Sequence, residues 1–185
     1  MKSKKIVLSG LFIALGVVVP MIFHTVNLAG PIFLPMHIPV LLAGFLLGPV
    51  YGGIVGIICP VISGLATGMP PLMPNMPIMA FELCGYGILT GFLYNKTRML
   101  YPSLIGAMIG GRIFAIVGAF VVSITVAPAV HPLMFVVGGL GKAIPGMIVQ
   151  LIAIPLLMEL INLFLIPCQQ MHLYLFVILS LNMLL

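Results

Sequence analysis

Charge is what this chain lacks most. Its 185 residues include seven Lys or Arg and two Asp or Glu, only 5% of the total. Soluble domains carry about 25% charged residues, so this chain cannot clothe a water-facing surface. With 63% hydrophobic residues, it reads as an integral membrane protein. Its length suits one domain of roughly six spans at about 20 residues each. No long polar stretch is present, so no attached soluble catalytic domain is expected.

Catalytic and metal-binding patterns are missing too. Cys59, Cys84 and Cys168 sit in apolar surroundings at no metal-ligand spacing and read as small buried hydrophobes. His24, His37 and His131 read first as hydrogen-bonding anchors of the segments around them. No cluster of His, Cys, Asp and Glu has metal spacing. No P-loop lysine motif, nucleophile elbow or HExxH occurs. Neither ATP hydrolysis nor covalent catalysis is expected of this chain, and no cofactor, metal or nucleic-acid partner. The basic start "MKSKK" and the apolar run from Ile6 to Phe23 imitate a signal peptide, but no Ala-x-Ala site follows. A retained first span is the better reading.

What is present is a series of apolar runs broken by Pro and Gly. Spans are expected at about 6–23, 34–48, 52–66, 78–94, 103–126 and 133–158. They must be helices, because only helices or closed barrels satisfy the backbone in hydrocarbon. Barrel strands would alternate in polarity over about ten residues, and these runs do not. The last stretch, 160–185, is apolar and stands apart from a six-span domain over 1–159. The fold expected is an all-α membrane bundle of six helices with Pro-rich outer loops, and 160–185 as a possible extra segment. Lys2, Lys4, Lys5, Lys96 and Arg98 fall at one end of this topology, whereas 24–33, 67–77 and 127–132 hold no Lys or Arg. The positive-inside rule then places the N-terminus in the cytoplasm of a plasma-membrane protein. The outer segments are rich in Pro and Met rather than polar residues, with four prolines in "TGMPPLMPNMP" (67–77). Such loops are expected to fold back over the bundle as a lid.

Four charges fall within spans: Glu82, Arg112, Lys142 and Glu159. Each costs about 2.5–3.5 kcal/mol or more at a helix centre, so each should face protein or an interface. Glu159 is expected at the cytoplasmic end with no site role. Glu82, Arg112 and Lys142 can meet at similar depth, with one cation in excess, which suits a carboxylate or phosphate. An alternative is that Glu82 only neutralises a neighbour. His37, in "LPMHIPVLLAG", and Asn75, in the 67–77 segment, join them as candidate substrate contacts. Gly10 and Ala14 lie one helical turn apart in "LSGLFIALG", a spacing that admits a second helix closely.

The basic N-terminus, the Gly10/Ala14 pair, "FLPMHIPVLLAGFLLGPVYG", "TGMPP" and "MAFELCGYGILTGFLY" together resemble the S components of energy-coupling factor (ECF) vitamin transporters. The resemblance covers roughly residues 1–158. It implies a six-helix membrane protein that captures a vitamin or vitamin precursor from outside. It also implies partners: a transmembrane coupling protein, met by the Gly10/Ala14 face, and two ATPase subunits. The cation excess favours an anionic vitamin such as pantothenate, while cobalamin precursors and flavins stay open. Two other classes stay open. A stand-alone secondary transporter or channel would need ion-coupling acids. An intramembrane enzyme would need paired acids in one cavity, and Glu82 and Glu159 fall at opposite depths.

Overall fold

The structure, a computed structural model, describes the backbone of residues 2–24, 33–125 and 131–182. It describes their side chains except at 23, 24, 140, 142 and 164–182. The expected lid segments 24–33 and 127–132 therefore lie largely outside the described residues. The described elements are α1 (Lys2–His24), α2 (His37–Leu47), α3 (Pro49–Thr67), α4 (Asn75–Thr97), α5 (Leu100–Thr125) and α6 (Pro132–Asn182). No strand occurs among the described residues. Among the described residues, five stretches are long and apolar enough to cross a membrane: Lys2–Ile22, Pro49–Thr67, Asn75–Thr97, Leu100–Thr125 and Ala143–Leu163.

α2 departs from the expected span at 34–48. It has 11 residues, about 16 Å at 1.5 Å per residue, half the hydrocarbon thickness. Gly48 ends it with φ +94°, a value that costs a side-chain-bearing residue dearly, and Pro49 opens α3 at once. Nine of its residues are buried, as expected for a helix apolar on all sides. It packs against α1, α3, α4 and α6 and so sits inside the bundle. Lys5 on α1 donates from Nζ to the Leu47 carbonyl at 2.9 Å, a cation on the negative end of a helix dipole.

The closest packing is between α3 and α4. A Cβ on Gly87 would strike the Gly52 carbonyl, and one on Gly44 of α2 would lie 2.7 Å from the Gly87 oxygen. Small residues let backbones meet, and van der Waals contact then holds helices together in lipid. Gly87→Leu is therefore expected to destabilise the bundle by about 1–3 kcal/mol or more, read as a lower thermal midpoint in detergent. An unchanged midpoint would show that this seam is loose. Away from the core, Ile109, Ile113 and Val117 on α5 and Ile148, Ile152 and Leu156 on α6 are exposed. That is the outward apolar surface of a multi-pass membrane protein.

α6 runs unbroken for 51 residues, so the backbone beyond residue 159 continues the sixth helix.

Candidate functional site

One turn pattern on α4 sets the site. Asn75, Ile78, Met79 and Glu82 follow at i, i+3, i+4 and i+7, so they share one face. That face lines a cavity of about 450 Å³. Arg112 and Ala115 of α5 oppose it, and Phe135, Val136 and Ala143 of α6 close one side. Leu34, Pro35, Met36 and His37 enter from the lead into α2, and Met69, Pro70 and Pro71 from the α3–α4 connection. That connection is tied to α3, because Ser63 and Thr67 donate from their hydroxyls to the Met69 carbonyl at 2.7 and 3.2 Å.

The polar groups gather on one part of the wall. Arg112 Nη1 lies 2.8 Å from Glu82 Oε1, close enough for an ion pair though not aligned as a hydrogen bond. His37 Nε2 is 3.7 Å from the same oxygen, beyond hydrogen-bond reach. The His37 ring meets Tyr86 edge to face, with centroids 5.1 Å apart. The Tyr86 hydroxyl interacts with the Glu82 carboxylate electrostatically but has no aligned hydrogen-bond partner. Arg112 Nε and Nη2 and both His37 nitrogens are likewise buried without hydrogen-bond partners in the protein. Buried polar atoms seldom go unpaired, so this cluster is built for something besides its own neighbours. The Nε and Nη2 of an arginine form one edge of the guanidinium, and that edge grips a carboxylate through two parallel bonds.

Of the five candidate substrate contacts, the structure brings His37, Asn75, Glu82 and Arg112 to one cavity. The side chain of Lys142 lies outside the described residues. Its neighbours Gly139 and Ala143 line the wall. Glu159 is exposed, well along α6. Gly10 and Ala14 are exposed on α1, and a Cβ on Gly10 would meet nothing within 4 Å. The inward face of α1 is Ser9, Phe12, Gly16 and Pro20 instead.

Sequence reasoning missed Tyr86, buried with its ring against His37 and its hydroxyl facing the Glu82 carboxylate, and Gln150, buried with neither amide atom hydrogen-bonded. Tyr86 follows Glu82 by one turn, and Gln150 is the lone amide within the apolar run 143–158. Those were the available signals.

The cavity lies at the end of the bundle opposite Lys5, Lys96 and Arg98, since it takes in the C-terminal part of α1 and the first turns of α4 and α6. Comparison with curated proteins gives no match, and comparison with solved structures gives none. A family model described as ECF transporter, substrate-specific component, matches residues 4–181. It thus runs past residue 158, where the resemblance read from the sequence stops, and takes in most of the apolar C-terminal stretch. This match, over nearly the whole of a helical membrane chain, establishes that the protein belongs to the family of ECF transporter substrate-specific components.

Proposed function

We propose that this chain is the substrate-capturing subunit of an ECF-type, ATP-driven importer, and that the 450 Å³ cavity holds a vitamin or vitamin precursor. The observation that carries this reading is the Arg112 guanidinium. It is neutralised by Glu82 on one nitrogen, while its Nε and Nη2 have no protein partner. Such an edge favours a carboxylate or another anionic oxygen pair, as in pantothenate. His37, Asn75 and Lys142 complete the polar set. Met36, Met69, Met79 and Phe135 supply apolar wall, and the volume falls in the usual range of about 300–1,000 Å³ for small-molecule sites.

Residues 1–159 form the six-span substrate-binding unit in this reading, with α2 as the short, buried second span. The N-terminus is cytoplasmic, because all loop Lys and Arg lie at the end away from the cavity. The Pro-rich α3–α4 connection then lies at the outer mouth. A cysteine at Thr97 should resist an impermeant thiol reagent in intact cells; ready labelling would reverse the topology. Gly10 and Ala14 offer the coupling protein its groove, and two ATPase subunits complete the assembly.

The function is tested by dialysing the purified protein against an equimolar mixture of water-soluble vitamins and their precursors. Mass spectrometry should find one compound class retained. A folded protein that retains none contradicts the proposal.

A further inference from the structure

Glycine inside a helix is costly, because it loses more backbone freedom on folding than any other residue and packs nothing. On α2, α3 and α4 the reason for it is close packing: a Cβ at Gly44, Gly52 or Gly87 would strike the backbone of a neighbouring helix. Gly138, Gly139 and Gly141 of α6 are different. A Cβ at any of them would meet no described atom within 4 Å, and all three are exposed. None has a positive φ. Three glycines in four residues thus serve neither close packing nor a left-handed turn.

Two of them, Gly138 and Gly139, line the cavity. Phe135, Gly139 and Ala143 follow at i, i+4 and i+8, so α6 turns one face to the cavity that goes from an aromatic ring to bare backbone to a methyl group. His37 lines the same space. It is 1% exposed, and neither ring nitrogen has a hydrogen-bond partner among the described residues, so an unpartnered polar side chain opens on the space that the glycines leave. The peptide groups at 138 and 139 lie within α6 and are bonded in its own ladder. What the bare backbone offers is close van der Waals approach.

We infer that Gly139, with Gly138 beside it, sets how broad a solute the cavity admits, and that the carbon body of the solute, a ring or a branched chain, lies against this stretch of α6. A slender chain would pass a methyl group, so only a broader body needs the glycines. This rests on the cavity being the solute site. It adds that the solute has two parts: an anionic group at Arg112 and a bulky apolar part on α6. The discrimination is steric, and one methylene too many in an apolar pocket is worth about 10- to 200-fold.

The test places alanine and leucine in turn at 139 and at 141. It uses the same vitamin and precursor mixture, with retention by mass spectrometry and thermal midpoints read with and without the mixture. Gly139→Ala should retain the wild-type compound about tenfold less well, and Gly139→Leu should retain none. Their midpoints without the mixture should equal or exceed the wild type's, since both residues favour helix over glycine and the added atoms enter open space. The same substitutions at Gly141, which does not line the cavity, should leave retention at the wild-type level. Equal losses at 139 and 141 would make the run a hinge and overturn the inference. Wild-type retention by Gly139→Leu would overturn it too, and leave the cavity reading intact. Midpoints lowered by both Gly139 variants without the mixture would mean that protein fills the space, which contradicts it as well. A wild-type protein that retains nothing overturns the inference together with the cavity reading.

Discussion

Arg112→Met will abolish solute retention, and Glu82→Met added to it will restore stability but not retention. The two side chains form a buried pair 2.8 Å apart. Removing one partner strands the other charge away from water, at about 3–5 kcal/mol of stability. Removing both with apolar residues of similar volume is often neutral. A purely structural pair would thus give a destabilised single variant and a fully functional double variant. The open Nε and Nη2 edge of Arg112 argues otherwise. If that edge grips the solute, no change at position 82 can replace it. Losing a buried, hydrogen-bonded charge contact costs about 2–5 kcal/mol of affinity, enough to empty the site in the dialysis assay. A double variant that retains the compound as the wild type does would reduce the pair to structure.

The second large effect is expected at a position far from the cavity. Ala14→Trp should abolish uptake and leave solute retention nearly intact. Ala14 and Gly10 share an outward face of α1, and the space beside Gly10 is open. Internal packing of α1 uses Phe12 and Gly16, with Gly16 set against Cys59. An indole at position 14 therefore projects outward and spares the core. What it blocks is the close approach of a partner helix, which in lipid depends on van der Waals contact between small residues. Retention is measured on the isolated protein, and uptake in cells that supply the coupling protein and ATPases. Loss of both together would make Ala14 part of the packing. Loss of neither would move the partner surface elsewhere.

The charged part of the site was legible because charge in hydrocarbon is costly. Glu82 and Arg112 stand out in any reading of this sequence, and the structure sets them against each other. The neutral polar residues were not legible in that way. Tyr86 and Gln150 cost less to bury, so they leave little trace in a hydropathy pattern; Tyr86 is marked by its place against His37 and Glu82, and Gln150 by its unbonded amide. Span boundaries followed from composition except where backbone geometry intervened. The run 34–48 is apolar but short of a full span, and Pro35 near its start and Gly48 at φ +94° at its end leave an 11-residue helix. Its burial on nearly all sides follows from its neighbours, which sequence periodicity cannot name. The same holds for Gly52 and Gly56 on α3 and for Gly87 and Gly91 on α4: each pair is one turn apart and marks a face for close packing, but not which helix fills it. The end of α6 was ambiguous for a different reason. Apolar residues alone do not say whether a chain turns back, and here the helix runs on to Asn182.

ATP-dependent uptake separates an importer subunit from a stand-alone transporter. The protein is placed in vesicles with the coupling protein and both ATPases, and the compound it retains in dialysis is followed across the membrane. Accumulation should require ATP and all partners and disappear in Arg112→Met. Equal accumulation by this chain alone, driven by an ion gradient and indifferent to ATP, would make it a stand-alone secondary transporter instead.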